Sequence, residues 1–404
     1  MSNINQLINC FAEDSTDISM ERLIAEIKTN RPDDGEVYKL AKTLAASGHQ
    51  FHWREDIETA DIASTGGPSS LSTLLSPLYL RAYGFSVPKL GVPGRPAGGV
   101  DVMAQLIPYR VNFLPAEVSE IVNQSGYAHF LADENFAPLD AKLFRYRQQS
   151  GSQDIPDLAV ASLLSKKIAC GIRTVGLDVR VAPHGNFGQT FPEARKSAAR
   201  FCKVAALADI KAICFLTDAR FPYQPFIGRG EALAAIKLIL DNDVSGALAE
   251  HRDQCQLMAA HLASLKGFSN MPTLENFKTA FEENLIAQGS SFGAFEKKAN
   301  ETLSGHRHEI KAPKSGFVSI DLEMLRSVFV EANKGDDNGS TQFPDNIGTI
   351  LKVPSGEYVA QDELLASVRV SDMLMDGLSK LIGQVFSIDD APILVPGIEV
   401  VSHG

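Results

Sequence analysis

Asp61-Ile62-Ala63-Ser64-Thr65-Gly66-Gly67-Pro68-Ser69-Ser70-Leu71-Ser72-Thr73 is the stretch on which the reading of this chain turns. A short apolar segment runs into a loop of Gly, Ser and Thr, and residues 71–82 then carry apolar side chains at helical spacing. Strand, glycine turn and helix in that order make one unit of a parallel sheet. Such a loop can hold an anion. Glycines let the backbone approach closely, hydroxyls and free N–H groups donate, and a helix N-terminus favours negative charge. Because Ser and Thr also cap helices wherever a chain turns, the loop takes its meaning from what surrounds it.

Residues 85–90, 128–131, 174–181 and 210–216 read as strands, and 71–82, 193–206 and 231–240 as helices. That alternation predicts an α/β domain with a mostly parallel sheet. Upstream, 21–28 and 36–47 predict a small helical unit about the polar turn 29–34, and 139–146 and 157–169 predict two further helices. From residue 309, short β-like segments at 316–320, 347–353, 364–370 and 383–388 predict a C-terminal α+β region, with 333–340 as a polar loop.

The chain has 404 residues, 44% hydrophobic and 22% charged, the balance of an ordinary globular protein of two or three domains. Its formal charge of -11 argues against a general nucleic-acid or anionic-membrane binder, so an anionic substrate would need a local positive site. Five cysteines lie scattered without CxxC spacing, which argues against a zinc cluster or disulfide framework. His306 and His308 sit two apart with no ligand spacing around them, and no metal or redox cofactor is expected. Residues 1–17 lack a basic segment followed by a long apolar run, so a cytoplasmic location is the expectation.

Further motifs follow the loop in order: Leu143-Phe144-Arg145-Tyr146-Arg147, then residues 155–169 with Ser162, Lys166 and Lys167, then Gly176-Leu177-Asp178-Val179-Arg180-Val181. Together with Ser64-Thr65-Gly66-Gly67 they resemble the thymidine and pyrimidine-nucleoside phosphorylases, whose signatures read roughly DKHSTGG, LYALRD, IPLIxASILSKKLA and LDVKxGxGAF. Leu139-Asp140-Ala141-Lys142, Leu216-Thr217-Asp218 and Gly316-Phe317-Val318 extend the likeness over most of the chain. The resemblance implies a discontinuous helical domain (1–55 and 139–170), a larger α/β domain (56–138 and 171–308) and a C-terminal α+β region (309–404). It also implies a substrate cleft that closes by hinge motion, and a homodimer built through the helical domain.

In that family the residues matching Arg147, Ser162 and Lys166 hold the pyrimidine base. In a helix, Ser162 and Lys166 share a face at i, i+4. As catalytic groups, Arg147 and Lys166 would stabilise the negative charge of the departing pyrimidine. The competing reading makes Lys166-Lys167 a solvated helix face and Arg147 a cation drawn to a helix C-terminus. Phe144 replaces a tyrosine that touches substrate there. Ser64, Thr65, Gly66, Gly67, Ser72 and Thr73 are the candidate phosphate- or acceptor-binding residues.

The departures cluster at the anion site. Ile62 stands where the family has a phosphate-holding lysine, Ala63 where it has a histidine, Pro93 for a serine and Val100 for a phosphate-contacting threonine, while Arg95, Gly98 and Gly99 remain. One charge-assisted hydrogen bond is worth roughly 1.5–3 kcal/mol, so losing the lysine alone predicts phosphate binding weakened roughly ten- to a hundred-fold. Gly-Gly followed by Ser-Leu-Ser-Thr also resembles the anion loop of anthranilate phosphoribosyltransferase, a structural relative. The expected function is phosphorolysis of a pyrimidine nucleoside such as thymidine or uridine. The alternatives are transfer to water or another acceptor, and a pyrimidine-binding protein without turnover. His184 in its loop, and Asp61 and Asp218 at strand ends, are weaker candidates.

Overall fold

The computed structural model describes residues 3–93, 98–183, 185, 187–333, 343–371, 377, 381–391 and 399–402. Three helices open the chain: α1 (Asn3–Glu13), α2 (Asp17–Thr29) and α3 (Asp34–Ala45). Thr16 caps α2 by accepting from the Ser19 N–H, and Asp33 and Glu36 make a reciprocal capping box on α3. Their apolar faces, with Ile8, Phe11, Leu23 and Leu40 buried, join two helices that come much later in the chain, α7 and α8 below.

Next come β1 (Ala60–Ser64), α4 (Ser72–Ala82), β2 (Val87–Gly91), α5 (Gly99–Met103), α6 (Pro115–Ser125) and β3 (Tyr127–Leu131). The chain then returns to the helical lobe as α7 (Pro138–Gln149) and α8 (Pro156–Ala169), with α3 lying along α8. β4 (Thr174–Val181), α9 (Phe191–Ala206), β5 (Lys211–Asp218), β6 (Phe226–Gly228) and α10 (Arg229–Leu240) follow, and then α11 (Gly246–Ser264), α12 (Leu274–Ala287) and α13 (Phe292–Ser304). The last part comprises β7 (His308–Lys311), β8 (Gly316–Ile320), α14 (Leu322–Ala332), β9 (Ile347–Leu351), β10 (Tyr358–Val359), β11 (Leu364–Val370), β12 (Phe386–Asp389) and β13 (Glu399–Ser402).

β1, β4 and β5 pair in parallel, and β13 adds antiparallel at the β5 edge. The parallel pair β2-β3 joins this sheet through a bridge between Thr59 and Ser86, so the sheet is mostly parallel, as the alternating pattern predicts. One apolar cluster packs β4 against α8 and α9, and a second packs Ile62, Ile213 and Phe215 against α4 and α11. Parallel strands covered on both faces are mostly apolar, and all eight residues of β4 are buried, Asp178 and Arg180 as an ion pair.

The C-terminal region holds two antiparallel sheets, β10-β8-β12 and β6-β9-β11-β7, around Val318, Leu325, Phe329 and Leu365. Its attachment is electrostatic as well as apolar. Glu231 of α10, fully buried, accepts from Arg307 Nη2 at 2.8 Å and from Arg369 Nε and Nη2 at 2.9 and 2.8 Å. Gly348 of β9 makes room for that carboxylate, since a Cβ there would lie 1.7 Å from Glu231 Oε2.

The helices α11 to α13 are absent from the sequence reading. In α11 the buried face is Leu248, His251, Cys255, Met258 and Leu262, a seam at alternating three- and four-residue steps whose polar members hide it. The fourth C-terminal β segment starts at Phe386 rather than 383, and of the loop 333–340 only Asn333 lies among the described residues.

Gly348→Ala should destabilise the fold by about 1–3 kcal/mol through overpacking against Glu231, measured as a lower urea midpoint. An unchanged midpoint would mean that the Glu231 carboxylate can be displaced at no cost.

Candidate functional site

Ser162 and Lys166 face the same cavity from α8, and Arg147 reaches it from the last turn of α7. Lys166 Nζ donates to Ser162 O at 2.9 Å, to Ser162 Oγ at 3.1 Å and to Asp140 of α7. Accepting from the lysine leaves the Ser162 hydroxyl its own proton to donate. Arg147 is held by the carbonyls of Ser152 and Gln153, through Nε at 3.1 Å and Nη2 at 2.9 Å. Burial pulls its pKa down to about 10, against Asp140 and Asp154, which raise it. These side chains are buried, so the solvated-helix-face reading of Lys166-Lys167 does not hold.

Lys167, one residue on, turns the other way and donates to Asp61 of β1. The second Asp61 oxygen accepts from Lys89 Nζ of β2 at 2.6 Å, and Lys89 also donates to the Ile62 carbonyl at 2.8 Å. Burial alone would raise the Asp61 pKa, but the ammoniums of Lys167 and Lys89 outweigh it and hold the carboxyl well below the usual range. Burial lowers Lys89, and Asp61 opposes that shift. Beside them, His129 of β3 has its pKa pushed down to about 3 by burial and then by Lys89 and Lys167, so the ring is neutral. Its Nδ1 lies 3.0 Å from the Tyr127 hydroxyl, and Gly99 admits the ring, since a Cβ there would sit 2.4 Å from His129 Cε1.

The cavity between these two groups has a volume of about 180 Å³. Ser64, Thr65 and Thr73 border it, as do Phe144 and Val100. Thr65 is fixed by its N–H to Asp178 O at 3.0 Å and by its Oγ1, which accepts from Arg180 N at 2.9 Å. Thr73 Oγ1 is buried with no hydrogen-bond partner among the described residues. Gly66 and Gly67, at φ +112° and +126°, bend the loop without bordering the cavity. These are left-handed values that glycine alone adopts cheaply.

Ser72 is not brought to the cavity. Its Oγ donates to Asp178 Oδ2 at 2.6 Å in a buried network with Ser70 and Arg180, which fixes the start of α4 instead. The Ile62 side chain likewise does not face the anion site as expected. Strand alternation turns it into the second core, where its Cγ1 packs beside Gly176, while Asp61 and Ala63 border the cavity. Asp218 binds Arg220 away from the cavity, and Arg95 and His184 lie outside the described residues.

Sequence reasoning missed Lys89 and His129. The available signal was a basic residue at the centre of each of two apolar strands, Val87–Gly91 and Tyr127–Leu131, where an unpaired charge is costly.

No protein-family model matches the chain. It is 27% identical over 369 residues to an AMP phosphorylase of Methanococcus maripaludis, a match covering 87% of this chain and 70% of that protein. It is 23% identical over 380 residues to a pyrimidine-nucleoside phosphorylase of Staphylococcus epidermidis, covering 90% and 87%. The crystal structure of anthranilate phosphoribosyltransferase from Thermus thermophilus superposes with a TM-score of 0.53 at 15% identity, covering 74% of this chain and 94% of that one, a likeness of fold. All three are enzymes, and the matches bear out the resemblance drawn from the motifs.

Two buried histidines set a pH dependence. His129 and His251 are both held near a pKa of about 3, the latter by burial and Arg180. In the unfolded chain each takes a proton near pH 6.5, so stability is complete above that value and falls as pH drops from about 6.5 toward 3, by up to about 1.4 kcal/mol per unit per histidine. Urea unfolding between pH 8 and 5 should show this slope, and His129→Gln should reduce it. An unaltered slope in the variant would place the proton uptake elsewhere.

Proposed function

We propose that this divergent relative of the nucleoside phosphorylases is a pentosyltransferase that cleaves a pyrimidine nucleoside with phosphate, giving free base and pentose 1-phosphate. The observation that carries this reading is the buried Ser162-Lys166-Arg147 cluster at one end of a cavity whose other end is lined by Ser64, Thr65 and Thr73. Ser162 and Arg147 hold the ring carbonyls of the base, and Gly66 and Gly67 shape the loop that faces the acceptor.

In the reaction the C1–N bond breaks and its electron pair passes to the pyrimidine, while an oxygen of hydrogen phosphate forms the new bond to C1, and the proton the phosphate gives up passes through solvent to the departed ring. Negative charge grows on the ring as it leaves. Lys166 and Arg147 are cations already fixed by Asp140 and by the Ser152 and Gln153 carbonyls, so they stabilise that charge without reorganising. Phe144 borders the cavity without a hydroxyl, so the base makes one polar contact fewer than a tyrosine would allow. We further place the enzyme in the cytoplasm as a homodimer through the helical lobe, on whose surface Ile18 is exposed.

Chromatography of thymidine, uridine, deoxyuridine and AMP incubated with and without phosphate tests the reading. Phosphate-dependent base release is expected from at least one pyrimidine nucleoside, and Lys166→Met should lower kcat/KM about 10²–10³-fold. Release from AMP alone would move the substrate to a purine nucleotide. Release independent of phosphate would make the enzyme a hydrolase, and no release at all would sink the catalytic reading.

A further inference from the structure

The connection between α7 and α8 places one more side chain at the Ser162 end of the cavity. Ser152 N donates to Arg147 O at 3.0 Å, and Arg147 in turn donates from Nε to Ser152 O at 3.1 Å and from Nη2 to Gln153 O at 2.9 Å, which closes the turn on itself. Gln153 is thereby fixed next to the guanidinium, half-buried and bordering the cavity. Its backbone carbonyl is committed to Arg147, whereas its carboxamide makes no hydrogen bond among the described residues. A carboxamide partly withdrawn from water and left unbonded loses hydration with nothing in return.

The polar groups around it are nearly all of one kind. Lys166 spends its N–H groups on Asp140, Ser162 O and Ser162 Oγ, and so acts on a ligand by its charge. Arg147 can only donate, and Ser162 Oγ has already given one lone pair to Lys166. Such a set suits ring carbonyls and offers little to an exocyclic amino group. The carboxamide of Gln153 carries both an acceptor and a donor, and rotation about its last bond can present either. Ala159, one turn ahead of Ser162 on α8, puts only a methyl on the same wall, and Phe144 only an apolar ring.

We propose that Gln153 reads the exocyclic substituent of the base, and that its oxygen admits amino-bearing bases of the cytosine type alongside the oxo bases. Arg147 and Ser162 keep the ring carbonyl, and Gln153 takes the group at the far edge of the ring. The inference rests on the pyrimidine reading above and adds a substrate class to it.

Equilibrium dialysis of free cytosine and free uracil against the full chain tests this without turnover. Wild type should bind both. Gln153→Leu keeps the carbonyl that holds Arg147 but leaves a bound amino group without an acceptor, so cytosine should bind about ten- to a hundred-fold more weakly and uracil by clearly less. Gln153→Glu keeps acceptor oxygens and loses the donor, so it should shift the preference toward cytosine. A residue that serves packing alone would weaken both bases alike.

Equal weakening of the two bases in Gln153→Leu, unchanged binding of both, or no cytosine binding by wild type would overturn the proposal. If Gln153→Leu fails to fold, the preference is read from Gln153→Glu, where an unchanged ratio would overturn it equally. A preference that moves with residue 153 in a protein that releases no base from any nucleoside would remove the catalytic reading and leave this one. Phosphorolysis of uridine without cytosine binding would remove this one and leave the catalytic reading.

Discussion

A single buried carboxylate, Asp61, holds the two parts of the molecule in register. It takes one ammonium from α8 in the helical lobe and one from β2 in the sheet, and sits on β1 between them. All three groups are almost wholly shielded from water, where Coulomb interactions are strong and a misplaced charge is costly. The arrangement therefore tolerates little displacement. Further ties lie close by: Trp53 Nε1 and Thr59 Oγ1 donate to the carbonyls of Cys170 and Gly171, just past the end of α8.

The glycine loop divides its hydroxyls between two tasks. Ser64, Thr65 and Thr73 face the cavity, whereas Ser70 and Ser72 serve a buried network around Asp178 and Arg180. Arg180 also stacks on Tyr223, with its guanidinium carbon 3.8 Å from the ring centroid, and Tyr223 stacks on His251, whose Nε2 accepts the Leu71 N–H at 2.9 Å. Half of the loop thus anchors the start of α4, and the anchored half positions the rest.

Much of this was legible in the sequence because the strongest periodic segments are also the most buried. β4 and β11 begin and end where the alternation and apolar runs place them, and the Ser162-Lys166 spacing correctly puts the two groups in contact. What stayed hidden depends on pairing across the chain. Nothing local says that Lys89 meets Asp61, or that Lys166 and its neighbour diverge toward different carboxylates. Ile62 was misplaced because a motif position does not reveal which face of a strand it occupies. Ser72 was misplaced because its acceptor, Asp178, is distant in sequence. The C-terminal strand β13 pairs antiparallel with β5 after a long excursion, which no short-range pattern encodes.

Lys166 and Lys167 are consecutive on one helix, yet one reaches the Ser162 end of the cavity and the other the Asp61 end. An α-helix is stiff over so short a span, so a shift of α8 carries both ammoniums as one body. The two sides of the cavity are then not geometrically independent. Whatever fixes one ammonium also fixes where the other can reach. The backbone connection between two neighbouring residues thus sets the spacing of the two ammoniums across the cavity.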